Sequence, residues 1–510
     1  MSTSARILRN TGFLYLKMGI TVFISLYTTR LILNSLGAAD FGVFGVVGGA
    51  ITMLGFLNSA MAGTTQRFMN FYQGKGDALL QLKIFNNSII LHWGVAIAVG
   101  IILEIAGVFF FQGILNIEAN RIDAAKWIYQ FAIASTMFTI ITVPYDAAIN
   151  AHEHMGYYAV VGILESILKL VIAFIIVYTS KDKLILYGLL MAVLSILMLI
   201  IKRIYCRIRY QECTLSLRKY YDKSTIKELS SFAGWNFVSS AGTLLGNNGS
   251  GIVINHFFGT TINAAQNVGA QLRGQMLAFS NNMLKALSPV ITKKEGSGNH
   301  QDMMKFAMSG SKLSYLMFAF LAIPFLVETP IIMKLWLKNV PDWTICFSRF
   351  QMIIALSEQL TITLGTMLAA VNKIKEISIF NSCAYFFPLF IYILMFSLGA
   401  EPYWLYVVIL INFGLIINIY KVYQCKKYCE LDTRYYINTV IVPCILVSVI
   451  SFSLGYFLHF WLEESVIRLL LSTLITLISY SLLTYYWGFN QEEKHLLKAF
   501  IIQLKNRIKK

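Results

Sequence analysis

Several cations stand where a membrane helix can hold them only at a cost. Lys17 and Arg30 fall in the first apolar segment, Arg273 and Lys285 in the eighth, Lys312 in the ninth and Arg349 in the tenth. A cation near the centre of a bilayer costs about 2.5–3.5 kcal/mol on insertion scales, so it either snorkels to a surface or faces an aqueous interior. Snorkelling suits Arg30 and Arg349 near the outer ends of their segments, and Lys312 near the inner end of its own. Lys17 shares a helix face with Thr21, Ile24 and Thr28, which favours a polar interior. Cations gathered in such an interior answer an anionic group, a phosphate or a carboxylate. Two acids are candidates for ion coupling. Glu165 lies four residues before Lys169, so the pair neutralises itself or, alternatively, senses protons. Glu358 has no local partner of opposite charge, and Gln351 shares its helix face.

Amides concentrate in two neighbouring segments. Gly246-Asn247-Asn248-Gly249-Ser250-Gly251 sits inside the seventh span. Glycine weakens a helix by about 1 kcal/mol relative to alanine, and asparagine competes for backbone hydrogen bonds. The segment is either a bent helix beside a substrate or a small-residue packing seam, and the two adjacent asparagines favour the first. In the eighth span Asn267, Gln271, Asn282 and Lys285 share one face, with Gln275 at its edge. Arg273 projects about 120° away from Asn267 on an ideal helix, which puts it off that stripe unless the helix bends.

The elements that must position these residues are helices. Of 510 residues, 57% are hydrophobic and 13% charged, and apolar runs long enough to cross a bilayer recur throughout. Spans are expected near 12–33, 41–62, 84–111, 126–149, 158–179, 185–205, 229–254, 262–291, 306–328, 344–369, 376–398, 402–424, 437–460 and 466–487. Runs such as 97–111 do not alternate, which excludes a transmembrane barrel. The fold class is an all-α polytopic membrane protein with about fourteen spans. The first span is too long for a signal h-region, so it is expected to stay as an anchor.

The net charge of +17 concentrates on one side of these spans, densest over Lys202–Lys227 and the C-terminal tail. That places both termini in the cytoplasm and makes the basic loops orientation signals and lipid-headgroup contacts; nucleic acid is not an expected partner. The seven cysteines form no disulfide framework, and no metal set or cofactor motif accompanies them. His152-Glu153-His154 reads as a solvated loop. No phosphate-binding loop or nucleophile-elbow motif appears, and no loop is long enough for a separate catalytic domain, so an enzyme is not expected.

The chain repeats at an offset of 222 residues. Ala147-Ala148-Ile149-Asn150 returns as Ala369-Ala370-Val371-Asn372, and Gly12, Gly37, Gly74, Gly76 and Lys83 return as Gly234, Gly259, Gly296, Gly298 and Lys305. The expected organisation is a six-helix bundle over 1–205, a basic linker over 206–228, a second bundle over 229–425, and an extra helix pair with a basic tail over 426–510. Six helices per repeat is an even number, so the repeats are parallel, as in transporters that hold substrate between two bundles.

Thr28-Thr29-Arg30-Leu31-Ile32-Leu33-Asn34-Ser35-Leu36-Gly37 followed by Asp40-Phe41-Gly42 resembles the first-hairpin signature of bacterial polysaccharide flippases. Thr65-Gln66-Arg67-Phe68, Phe232-Ala233-Gly234-Trp235-Asn236, Asn255-His256-Phe257-Phe258-Gly259 and Ser288-Pro289-Val290-Ile291 continue the resemblance over most of residues 1–425. It implies the flippase branch of the multidrug/oligosaccharidyl-lipid/polysaccharide exporter superfamily, in the bacterial inner membrane. The implied substrate is an undecaprenyl-diphosphate-linked oligosaccharide of the O-antigen or capsule type, moved between leaflets by alternating access. H+ or Na+ coupling and contacts with other polysaccharide assembly proteins come with it. Lys17, Arg30 and Arg273 match the family's basic cavity positions. Asn247, Asn248, Gln271, Lys285 and Lys312 complete the candidate substrate contacts, with Glu165 and Glu358 for the coupling ion. The alternatives are a cation-coupled multidrug exporter of the same superfamily and, in another class, a membrane glycan polymerase or ligase.

The orientation is directly testable. A cysteine introduced at 215 or 500 should escape a membrane-impermeant thiol reagent applied outside, and one at 182 should react. Labelling at 215 would reverse the orientation.

Overall fold

An apolar segment in lipid has no water for its peptide groups, so the chain bonds them along itself. The computed structural model describes residues 3–52, 55–111, 121–337, 340–491 and 493–494, and among these no strand occurs. The first six helices are α1 (Thr3–Thr52), α2 (Gly55–Lys75), α3 (Ala78–Phe109), α4 (Ile122–Ala151), α5 (Met155–Tyr178) and α6 (Lys183–Arg209). The helical stretch Lys223–Gly296 is interrupted at Gly259, whose φ of 80° and ψ of −177° belong to a region open essentially to glycine alone. It therefore forms α7 (223–258) and α8 (260–296). Six more follow: α9 (His300–Val327), α10 (Thr344–Ala370), α11 (Ile374–Ser397), α12 (Trp404–Cys429), α13 (Thr433–Phe460) and α14 (Val466–Gly488). α3–α6 and α9–α14 are long and apolar enough to cross a membrane, and they coincide with ten of the expected spans. The other four expected spans fall in α1, α2, α7 and α8. α1 stays helical through 34–40, where a break is expected, because a lone Gly37 is a weak stop. The protein is an all-α polytopic membrane protein.

Two compact units divide the chain, one of residues 10–240 and one of 1–9 with 241–510. The core of the first joins α3, α4 and α6 through Leu103, Ile128, Tyr129, Ile140 and Leu184. Gly107 makes room for the Tyr129 ring, which lies where a Cβ would stand, and the Tyr129 hydroxyl donates to the Leu103 carbonyl at 2.5 Å.

The 206–228 segment is not a loose connection. Asn86 donates to the Thr214 carbonyl at 3.0 Å and accepts from the Ser216 amide at 2.9 Å, and Asn87 treats Tyr220 and Asp222 the same way at 2.9 and 3.1 Å. The His152–His154 loop, expected to be solvated, is engaged as well. His152 stacks on Tyr210 with ring centroids 4.0 Å apart and hydrogen-bonds Glu212, while His154 meets the Tyr210 hydroxyl at 2.8 Å. Burial pushes the Glu212 carboxyl up most strongly, but the hydrogen bond from His152, a backbone hydrogen bond and the charge of His152 together outweigh it and hold the group below its ordinary value. The boundary between the compact units consequently lies at 240/241, within α7.

In the second unit α13 and α14 pack on α9 through a core of Tyr315, Phe318, Ile323, Cys444, Val447 and Tyr480. Tyr315 donates to Ser448 at 3.0 Å and Tyr480 to the Leu316 carbonyl at 3.0 Å. Beyond the end of α9, Arg468 grips the fully buried Glu328 with two nitrogens, each at 3.2 Å.

Local features recur between the units, with a change of register. Asp77 caps α3 by accepting from the Leu80 amide, and Asn299 caps α9 from Asp302, both 222 apart and each preceded by a positive-φ glycine, Gly76 or Gly298. Further along the offset is 219. The ends of α4 and α10 (Ala151, Ala370), both ends of α5 and α11, and the bonds from Cys206 to the Tyr145 carbonyl and Cys425 to the Leu364 carbonyl share it. The Ala-Ala-Ile/Val-Asn match at 222 is therefore out of step with the helix ends. Asn150 lies within α4, whereas Asn372 lies past the end of α10 with a φ of 62°.

The glycines of α7 form a packing seam. An added Cβ at Gly242 would stand 2.8 Å from the Ser382 Cα, and one at Gly246 would stand 2.9 Å from the Tyr385 carbonyl oxygen. Gly242→Ala or Gly246→Ala should therefore lower thermal stability by about 1–3 kcal/mol as overpacking. Gly234→Ala, which meets open space, should leave the melting temperature unchanged or raise it. Equal melting behaviour in all three variants would show that the seam is not tight.

Candidate functional site

The seam brings α7 and α11 together and leaves room beside it. A chamber of about 520 Å3 opens in the second unit, lined by α7 (Gly246, Ser250, Gly251, Asn255), α8 (Asn263, Gln266, Asn267, Arg273), α10 (Gln351, Glu358), α11 (Tyr385, Tyr392) and α12 (Tyr406, Phe413). That volume falls within the range of about 300–1,000 Å3 usual for ligand pockets. Its lining has one polar side on the amide-rich helices and an aromatic side on α11 and α12.

Spacing on α8 explains the polar side. Asn263, Gln266, Ala270 and Arg273 recur at i, i+3, i+7 and i+10, so they form one ridge about 80° wide. Asn267 sits on the other flank. The chamber curves around about 120° of the helix, and the long Arg273 side chain reaches in from its edge without any bend. Arg273 and Asn267 therefore share it, contrary to the ideal-helix expectation that separates them.

The polar groups hold one another in place. The Gln351 amide nitrogen donates to the Gln266 carbonyl at 3.1 Å and to the Tyr406 hydroxyl at 2.8 Å, and that of Gln266 donates to Ser250 at 3.1 Å. Arg273 donates to the Glu358 carboxylate, a contact across 85 residues. The two side chains keep 30% and 21% of their surface exposed, so the pair faces the chamber rather than the protein core. Two buried side-chain atoms of this lining have no hydrogen-bond partner among the described residues: Gln266 Oε1, an acceptor, and Arg273 Nε, a donor. Behind the lining, Lys421 lies within electrostatic reach of Glu358.

The sequence candidates separate into groups. Arg273 and Glu358 meet in the chamber. Gln271 and Lys285 are exposed and do not line it; Lys285 shares the angular position of Asn267 but lies about 27 Å further along α8. Lys312 is buried and pairs with Glu493 at 2.9 Å, so snorkelling does not describe it. In the first unit, Lys17 lies half-buried with Nζ 4.1 Å over the Tyr158 ring and against Gly162. Glu165 and Lys169 pair at 2.6 Å, as their spacing suggests. The side chains of Arg30, Asn247 and Asn248 lie outside the described residues. Arg349 lines a second cavity of about 530 Å3 with Trp343 and Phe350, its Nε 3.4 Å from Thr329. Sequence reasoning passed over Gln266, Asn263 and the three tyrosines. The recurrence of amides three residues apart ahead of Arg273 was the available signal.

An ion pair in such a setting is held by mutual need. Arg273→Ala or Glu358→Ala alone should each destabilise the protein by about 1–3 kcal/mol, since each leaves a charge without its partner. The joint replacement Arg273→Met with Glu358→Leu should be milder. Three equal melting temperatures would indicate a screened pair with no such coupling.

Similarity to known proteins places this architecture. A family model described as polysaccharide biosynthesis protein matches residues 7–295, more than half the chain. No curated protein matches. Among solved structures, an outward-facing multidrug resistance MATE family transporter of the MOP superfamily aligns with a TM-score of 0.73 at 11% identity, covering 84% of this chain and 96% of that one. A Vibrio cholerae MATE transporter in a bent form gives 0.66 at 13%, covering 84% and 98%. A MOP superfamily transporter from Pyrococcus furiosus, described as having a binding pocket of reverse polarity, gives 0.69 at 13%, covering 84% and 96%. With helices, chamber and family model in agreement, the chain belongs to the polysaccharide biosynthesis protein family and carries the fold of MOP-superfamily membrane transporters.

Proposed function

We propose that this protein moves an undecaprenyl-diphosphate-linked oligosaccharide from the inner to the outer leaflet of the plasma membrane by alternating access, with both termini cytoplasmic. The observation that carries this reading is the chamber. An ion pair, amides and tyrosine hydroxyls enclose about 520 Å3 within a bundle of membrane helices. Hydrated sugars need that surface and lipid tails do not. The family match to polysaccharide biosynthesis supports the same substrate class.

In this proposal basic side chains answer the diphosphate, and each unit supplies one candidate, Lys17 in the first and Lys285 in the second. Arg273 already answers Glu358, so less of its charge remains for an anion. A charge-assisted contact contributes about 1.5–3 kcal/mol, equivalent to about ten- to a hundredfold in capture. A second reading, a cation-coupled multidrug exporter, draws support from the MATE fold alone.

The test is genetic and biochemical together. Lys17→Ala with Lys285→Ala should leave protein in the membrane while surface glycan falls at least tenfold and lipid-linked precursor accumulates inside. Normal surface glycan at normal protein level would remove the assignment of these lysines. Drug sensitivity without any glycan change on deletion would favour the exporter.

A further inference from the structure

The chamber's chemistry narrows what occupies it. Its lining carries one positive and one negative side chain, Arg273 and Glu358, already joined. A phosphate or carboxylate entering would gain from Arg273 but meet Glu358 and the Gln266 carbonyl oxygen, both electron-rich. A cation would gain from Glu358 but meet Arg273, with Lys421 behind it. Neither charge sign is favoured.

The two unanswered atoms ask for something else. Gln266 Oε1 needs a donor and Arg273 Nε needs an acceptor. A buried polar atom without a partner is costly, so a ligand that supplies both roles is favoured. A hydroxyl group does both, and a polyol presents several around one ring. Opposite stand Tyr385 and Phe413, with ring centroids 4.4 Å apart, and Tyr406, whose hydroxyl is fixed by Gln351. Tyr385, the partly exposed one of the three, offers an apolar ring to the C–H side of a sugar, backed by the buried Phe413 and Tyr406.

We infer that this chamber is a binding site for an uncharged pyranose unit of the transported glycan, held by Gln266 and Arg273 on one side and by the α11–α12 aromatic residues on the other. The inference rests on the glycan-transport reading and adds the part of the substrate that this site takes. Glu358 is then a specificity residue: by neutralising Arg273 it keeps acidic sugars out.

The experiment uses full-length protein in lipid nanodiscs and three probes with one ring and different charge: methyl glucoside, methyl glucuronide and glucosamine. Saturation-transfer NMR titration reads each affinity. The neutral glucoside should bind at least tenfold more tightly than either charged probe. Gln266→Leu should weaken glucoside binding about tenfold with little change in melting temperature, a loss of about 1.4 kcal/mol. Glu358→Gln leaves Arg273 unneutralised and should reverse the order, with glucuronide binding best. Wild-type preference for a charged probe, or an unchanged order in Glu358→Gln, would overturn the inference, and the wild-type ranking decides it even where a variant fails to fold. The transport reading is judged separately. Surface glycan that depends on the protein, together with a failed ranking, removes only the sugar site. A correct ranking with no glycan phenotype on deletion removes the transport reading and leaves the chamber's preference standing.

Discussion

A charge inside a membrane helix is costly unless a partner answers it, most strongly an opposite charge, and that constraint organises this protein. Glu165 answers Lys169, Asp146 answers Lys202, Glu358 answers Arg273, Glu493 answers Lys312 and Glu328 answers Arg468. Only the first of these pairs lies within one helical turn. The others join residues at least 56 positions apart, so each fixes one helix against a distant part of the chain. In lipid, where apolar packing gains nothing from expelling water, such contacts and close small-residue seams carry the specificity of assembly. The glycines of α7 supply the seam and the pair Arg273–Glu358 supplies the charge, and the chamber is the space the two leave between them.

The chamber shows how a polar volume survives among apolar helices. Its amides are anchored by the helices around them: Gln351 donates to the Gln266 backbone carbonyl and the Tyr406 hydroxyl, and Gln266 to the Ser250 hydroxyl. A network that is nearly complete is rigid, and what remains unmet defines what it selects. α8 serves two faces at once. One ridge, through Asn263, Gln266 and Arg273, turns to the chamber with Asn267 on its flank, and further round the helix Gln271 stays exposed.

Much of this was legible in the sequence. Apolar length placed ten spans within a few residues, and the four-residue spacing of Glu165 and Lys169 gave their pair. Polar residues on α8 marked it as facing something wet, but angular position alone could not say which ridge meets the chamber. Periodicity says which residues share a face and not which face meets a neighbour. The partner of Glu358 was invisible because it lies 85 residues away. The tyrosines read as ordinary membrane aromatics, since nothing in their spacing shows where a hydroxyl points. The Ala-Ala-Ile/Val-Asn match drew the eye to the offset of 222, while the helix ends obey 219 beyond α3. A short identity can fall one helical turn out of register with the structure around it. His152 and His154 failed for the opposite reason: their partners, Tyr210 and Glu212, belong to a segment that composition marks as a linker.

The grip of Arg468 on Glu328 bears on how the second unit is made. Glu328 sits just past α9, yet its partner belongs to α14, which leaves the ribosome 140 residues later. Its other neighbour, His459, 3.8 Å away in the finished protein, is also synthesised late, at the end of α13. A carboxylate destined for full burial must therefore stay hydrated while those 140 residues are made. Closure of this corner is a late event in biogenesis, and the final helix pair acts as the lock that ends it, whichever order the earlier helices adopt.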